Sequence, residues 1–377
     1  LKRLELTPRP NWQTEAERDG LVFHTPDGIP YWDESACYYF TSTEIDRIEA
    51  ATAELQRLCL QAGQFILDQD RFDAFRIPAP ARDIIRQSWG AEPPSLYGRF
   101  DLSYDGVNPP KLLEYNANTP TSLLEASVVQ WRWRQDAMPS TDQFNSIHEK
   151  LISRWADIRP AIKGDRLYFT SMRNTEDAMT TAYLRDTAEQ GGIRTASLFV
   201  EDIGWNARTW QFRDLEENRI QSLFTLYPWE WLLKDFGKEI LETYGEMVWM
   251  EPIWKMIWSN KALLAVLWEM FPGHPNLLET HLDGPHGMAE FVKKPLLSRE
   301  GANITVHRHT GETVTAGTYG KEGFVWQALA PEAVFGGRRP VLGSWVVTDR
   351  GPAGMGIRES EGPITGNLST FVPHYFD

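Results

Sequence analysis

Four residues on two short runs carry the most pointed chemistry in this sequence. Leu96-Tyr97-Gly98-Arg99-Phe100-Asp101-Leu102 alternates with a period of two, which places Arg99 and Asp101 on one face of a strand and Phe100 and Leu102 on the other. Lys111-Leu112-Leu113-Glu114-Tyr115-Asn116 alternates again, so Glu114 and Asn116 share a face, and Asp105-Gly106 supplies a hairpin turn between the runs. If the strands pair, Arg99, Asp101, Glu114 and Asn116 converge. Carboxylates a few Å apart repel one another, and a divalent cation removes that cost. Two carboxylates and an amide oxygen suit Mg2+, which prefers oxygen ligands and keeps positions for water and phosphate. The same four side chains would serve equally well as an exposed hairpin face carrying solvated charge.

The second half of the chain adds positive charge at phosphate-binding spacings. Phe291-Val292-Lys293-Lys294-Pro295 reads as a strand ending in lysines, followed by Ser298-Arg299-Glu300-Gly301-Ala302-Asn303 and a strand from Ile304. A strand, a small-residue turn with free backbone N–H groups and a second strand can fold over phosphates, or can be an ordinary hairpin with solvated lysines. Ser259-Asn260-Lys261 opens a further helix, with Lys261 near its positive end, where anions are favoured. Lysines from two places, a loop and an acidic cluster together suit an ATP site.

The pieces Arg99-x-Asp101, Glu114-Tyr115-Asn116-Ala117, Ser259-Asn260-Lys261, Lys294-Pro295, Arg299-x-Gly301-x-Asn303 and Gly356-Ile357-Arg358 follow in this order. Taken together, they resemble the synthetase domain of glutathionylspermidine synthase and its stand-alone homologues. The resemblance implies an α/β ATP-grasp fold of permuted order, with the metal ligands ahead of the ATP lysines and a pre-ATP-grasp-like βαβ domain interleaved. It makes Asp101, Glu114 and Asn116 the Mg2+ ligands and sets Arg99 against the transferred phosphoryl group and the tetrahedral intermediate. Arg358 faces the active site in the same scheme. Lys261 and Lys294 hold ATP phosphates, Arg299, Gly301 and Asn303 belong to a mobile loop over them, and the adenine meets Trp326, Gln327, Ala328 and Leu329.

The implied activity is an ATP- and Mg2+-dependent carboxylate–amine ligase that joins a peptide-like acid to an amine such as a polyamine through an acyl phosphate. In the family, the loop matching Thr119, Thr121 and Ser122 contacts glutathione, and this sequence departs from the serine- and cysteine-containing version found there. Acidic residues matching Glu176 and Asp177 help bind substrates. The alternatives are a ligase for a different peptide or amine, and a nucleotide-binding regulatory protein without turnover. The amidase of bifunctional relatives is expected to be absent, because the stretch before Arg99 is short.

The elements that must position these residues read as follows. Thr41-x-x-Glu44 has capping-box spacing, and Ile45, Ile48, Leu55, Leu58, Ala62, Phe65 and Ile66 recur at helical intervals to about Asp68. A helix is expected from Ser122. Arg166 to Thr170, Thr175 to Gln190, Gly191-Gly192 and Ile193 to Val200 form a βαβ unit and hence a parallel sheet. Glu176 and Asp177 then lie just past a strand's carboxyl end, either as ligand contacts or as partners of the helix dipole. Strands near Phe291 to Lys294, Ile304 to His307, Gly323 to Leu329 and Val341 to Thr348 read as antiparallel. Residues 10 to 40 read as an irregular segment, and the tryptophans at 229, 231, 249, 254, 258 and 268 read as packing residues.

Three parts are expected: 1–126 with the N-terminal segment, helix and metal hairpin, 127–250 as the α/β substrate side, and 251–377 as the nucleotide-binding portion. The chain has 377 residues, 42% hydrophobic and 24% charged, which argues against disorder. A formal net charge of -14 disfavours nucleic acid as a partner and weakly favours a cationic substrate. No apolar run is long enough for a membrane span, and the N-terminus lacks a signal-peptide core, so a cytoplasmic location is expected. Two cysteines, Cys37 and Cys59, are too few for a disulfide framework and read as core residues.

Overall fold

In the computed structural model, which describes residues 1–366 and 369–377, Tyr97–Ser103 and Lys111–Asn116 form an antiparallel pair, with Arg99 opposite Asn116 and Asp101 opposite Glu114. The connection differs from the expected turn at Asp105-Gly106. It runs from Tyr104 to Pro110, and the Asp105 carboxylate closes it by accepting from the N–H groups of Val107 (2.8 Å) and Asn108 (2.7 Å), as aspartate does in Asx turns. The register also slips between Asp101 and Leu102, where Leu102 faces Leu112 and leaves Leu113 as an extra residue. Strict alternation would have put Leu112 on the face of Glu114 and Asn116. The bulge sends Leu112 and Tyr115 into the core and leaves Leu113, Glu114 and Asn116 on the cleft.

This hairpin is one side of a five-stranded antiparallel sheet completed by Arg339–Val347, Gly351–Ser360 and Thr370–Phe371. Segments more than two hundred residues apart in the chain therefore share one sheet. The helix Ser42–Asp68 has both halves of the capping box at Thr41 and Glu44 and buries Ile45, Ile48, Leu55 and Leu58. It packs on the back of the sheet, where Thr52 and Ser344 hydroxyls meet at 2.6 Å. Gly343, in the middle of the sheet, is a steric requirement: a Cβ there would lie 2.9 Å from Arg99 Cδ.

A second antiparallel sheet has the order Thr280–His281, Phe324–Ala328, Phe291–Pro295, Thr305–Arg308, Gly311–Val314. The expected strand near Val341 is antiparallel to both its neighbours and belongs to the first sheet. A four-stranded parallel sheet, Val248–Met250, Ser222–Leu226, Leu167–Ser171, Thr195–Phe199, carries the helix Thr175–Gln190 across its βαβ unit, as the sequence predicts.

Residues 10 to 40 are more regular than expected. They contain the helix Trp12–Arg18 and the strand Ala36–Phe40, which pairs with Lys2–Glu5 and His374–Phe376. Trp249, Trp254 and Trp258 are buried, with the last two ring centroids 4.5 Å apart edge to face. Trp231 departs from the packing expectation, because it lines the cleft. Cys37 and Cys59 are buried and free. No helix among the described residues is long and apolar enough to cross a membrane.

Candidate active site

A cleft of about 680 Å³ runs between the two antiparallel sheets and the carboxyl end of the parallel one. Its floor is the hairpin face. Arg99 is buried and lies flat, its Nε 2.7 Å from Asp101 Oδ1 and its Nη2 3.1 Å from Oδ2, while Nη1 donates to Thr121 O at 2.5 Å. Burial opposes the guanidinium charge, but Asp101 more than restores it, so its pKa stays above the ordinary value. Arg358 Nη2 stands 3.8 Å from the same Asp101 carboxylate. The Asn116 amide N–H group donates at 3.3 Å to both Asp101 Oδ2 and Glu114 Oε1.

The lysines reach this floor from the other sheet and from a helix start. Lys261 Nζ lies 3.1 Å from Glu114 Oε2 and donates to Ser298 O at 2.7 Å. Lys294 Nζ donates to Gln327 Oε1 (2.6 Å) and Leu113 O (2.9 Å). Burial alone would raise the Glu114 pKa, yet Lys261 and Lys294 outweigh it and hold the carboxyl well below the usual range. Burial depresses Lys294 to about 8, with Glu114 countering part of the shift. The residues fit a hard cation: two carboxylates and the Asn116 amide oxygen are hard donors, with the amide, which now turns its N–H group to both carboxylates, rotating to present that oxygen.

At the other wall the Asn174 side chain caps the helix Thr175–Gln190 by accepting from Asp177 N–H at 2.8 Å, and Glu176 and Asp177 face the cleft. Burial, with Glu176 and Glu300 nearby, pushes Asp177 up to about 6 against the Asn174 hydrogen bond. Arg299 Nη2 pairs with Glu230 Oε1 at 2.6 Å, and its guanidinium lies 5.4 Å from the Trp231 ring centroid. Arg299 Nε has no hydrogen-bond partner among the described residues. Gly301 allows the loop to cross Thr365, whose carbonyl oxygen would be 2.6 Å from a Cβ at that position.

Arg99, Asp101, Glu114, Asn116, Thr119, Thr121, Glu176, Asp177, Lys294, Arg299, Gly301, Gln327, Leu329 and Arg358 all line this cleft, and Lys261 lines an adjoining void. Three expected residues stand apart from it. Asn303 turns its amide onto Tyr319 O at 2.5 Å and braces the loop from within. Ser122 is buried, with φ +62°, and meets the Tyr31 hydroxyl at 3.1 Å. Trp326 also misses the lining, although Gln327, Ala328 and Leu329 are on it.

Sequence reasoning missed Glu230 and Trp231, which follow the strand Ser222–Leu226 at the carboxyl end of a parallel sheet, a place where ligands gather. It also missed Tyr31 and Glu125, joined by a 2.6 Å hydrogen bond behind the Thr119–Ser122 loop. Glu125 starts a π-helical turn, Glu125–Val129, inside what the sequence presents as an ordinary helix. Burial pushes Glu125 up to about 7, against the Tyr31 hydrogen bond, and Glu176 adds to the rise.

A family model described as glutathionylspermidine synthase preATP-grasp matches residues 3–377. A Haemophilus influenzae protein provisionally named an acid–amine ligase is 42% identical, with 93% of this chain and 92% of that protein covered. The trypanothione synthetase of Crithidia fasciculata is 26% identical over 82% of this chain, and the bifunctional glutathionylspermidine synthetase/amidase of Escherichia coli 26% identical over 78%. This chain spans about half the length of those last two, 51% and 52%. Among solved structures, a glutathione synthetase-like effector from Globodera pallida superposes with a TM-score of 0.62 at 10% identity, covering 97% of this chain and 96% of that one. The fold is thus of the glutathione synthetase-like kind.

Proposed function

Because this chain belongs to the glutathionylspermidine synthase family of ATP-grasp ligases, we propose that the cleft activates a peptide-like carboxylate with ATP and passes it to an amine, giving an amide. The observation that carries this reading is the meeting of Lys261, Lys294 and Arg99 with Asp101, Glu114 and Asn116 on one buried floor. A site that moves a phosphoryl group needs positive charge around its oxygens more than it needs a nucleophilic side chain.

In this reading the nucleotide lies between the two antiparallel sheets, in a permuted ATP-grasp order, with its base against Gln327 and Leu329. Lys261 and Lys294 neutralise its phosphates, and the loop from Arg299 to Asn303 closes above them, Arg299 exchanging Glu230 for phosphate oxygen. Asp101, Glu114 and Asn116 would hold Mg2+, which draws charge from the phosphoryl oxygens. Arg99 and Arg358 face the carboxylate as it becomes an acyl phosphate, and Arg99 stabilises the oxyanion when the amine attacks and phosphate leaves. Thr119 and Thr121 orient the acid. Glu176 and Asp177 attract an amine carrying more than one positive charge, such as a polyamine.

Phosphate release from Mg-ATP, measured across thiols, short peptides and polyamines with product masses recorded, tests the proposal. Release that requires both an acid and an amine, and that Glu114→Ala abolishes, is the expected result. ATP-dependent thermal stabilisation without release from any pair would instead favour a nucleotide-binding protein without turnover. A ligase for an acid other than glutathione is the second reading. It is favoured by Ser122 turning its hydroxyl to Tyr31, away from the cleft.

A further inference from the structure

The segment after the strand Thr280–His281 gathers imidazole and carboxylate groups that the cleft does not use. His281, Asp283 and His286 each offer one ligand atom, and these atoms all lie within 4.8 Å of one another. Gly284 (φ +147°) and Gly287 (φ +85°) bend the chain back, with His286 itself at φ +48°. The two imidazole rings consequently stack in parallel, with centroids 4.0 Å apart. His286 Nε2 lies 2.6 Å from Asp283 Oδ1, and His281 Nε2 lies 2.9 Å from Glu279 Oε1. The Nε2 of each ring therefore lies against a carboxylate oxygen, and a metal ion that binds there displaces the proton between them. Asp283 and His286 are exposed, so a cation in solution can reach them.

The geometry points to a second cation site, in which His281, Asp283 and His286 bind a borderline divalent ion of the Zn2+ or Ni2+ type with water in the fourth position. Ligand chemistry separates it from the floor of the cleft. Imidazole suits zinc and nickel, whereas the all-oxygen set of Asp101, Glu114 and Asn116 suits magnesium. Bonds of about 2.0–2.2 Å place tetrahedral ligand atoms roughly 3.4 Å apart, so the side chains need to close by about an ångström and the two rings to turn out of their parallel stack, because an imidazole binds an ion in its own plane. A bound ion would fasten this segment to the strand Phe324–Ala328, because Thr280 and His281 pair in register with Gln327 and Trp326.

Calorimetric titration of the full chain with Zn2+ in excess Mg2+ tests the site. One equivalent is expected to bind, with affinity weakened at least ten-fold by His286→Ala and by His281→Ala, weakened less by Asp283→Asn, and unchanged by Glu114→Ala. His281, Asp283 and His286 lie on a surface loop and edge, and thermal melting of each variant without metal checks that it folds. Zn2+ affinity unchanged in the double variant His281→Ala/His286→Ala, or lost in Glu114→Ala, overturns the proposal.

Discussion

Arg99 and Asp101 form a two-pronged ion pair from alternate positions of one strand, at 2.7 and 3.1 Å, with both side chains buried. The pair fixes the guanidinium plane along the floor of the cleft and leaves Nη1 on Thr121 O. Arg99→Lys keeps the charge but loses the fork. With the acid and amine that support turnover, kcat is expected to fall roughly 100-fold or more, with a smaller change in KM for ATP, as for a removed oxyanion donor. Steady-state phosphate release checks this.

The flat seat of Arg99 depends on Gly343. A Cβ would stand 2.9 Å from Arg99 Cδ, and the branches of valine would extend further. Gly343→Val is expected to destabilise by about 1–3 kcal/mol through overpacking and to lower kcat more than Gly343→Ala does. Thermal melting and turnover of the two variants side by side measure both effects.

Glu125 gives the fold a pH dependence of its own. Burial holds its carboxyl at about 7, while an unfolded glutamate titrates near 4.3. The folded state therefore binds the extra proton between those values, so this contribution is complete below about pH 4.3 and is lost as pH rises to about 7. Relative to Glu125→Gln, the native protein should lose on the order of 2 kcal/mol between pH 5 and 8. Urea unfolding of both proteins across that range shows the convergence or its absence. Tyr31, Glu176 and Arg358 are the side chains that face Glu125 through a hydrogen bond or charge.

Glu230 holds Arg299 at 2.6 Å across the mouth of the cleft, where ATP phosphates would compete for the same guanidinium. Glu230→Gln is expected to lower KM for ATP several-fold, and Arg299→Ala to raise it. An unchanged KM in both variants would show that this pair takes no part in nucleotide binding.

Beneath the hairpin, Lys255 and Glu251 form a fully buried ion pair. Lys255 Nζ also donates to Tyr97 O at 2.6 Å, and Glu251 accepts from Leu96 N–H at 2.9 Å. Lys255→Met leaves a buried carboxylate uncompensated and is expected to cost about 3–5 kcal/mol. Lys255→Met with Glu251→Gln should recover part of that loss, as denaturant unfolding would record.

Local patterns carried much of this protein into the open. The capping box at Thr41 and Glu44, the helix Thr175–Gln190 and the alternation around Arg99 and Asp101 each depend on neighbours within a few residues, and all three form as the sequence predicts. What the sequence left undecided depends on partners far along the chain. The bulge at Leu113 arises because Leu112 must enter a core built with strands more than two hundred residues away. Ser122 leaves the cleft because its hydroxyl pairs with that of Tyr31, itself bonded to Glu125, and Trp231 lies in it beside the Arg299 guanidinium. By itself the sequence determined the donors and their strand faces, since side-chain type and a two-residue period are local. Only the tertiary structure decided which of them share a buried floor, because burial and long-range charge exist only once the sheets have closed on each other.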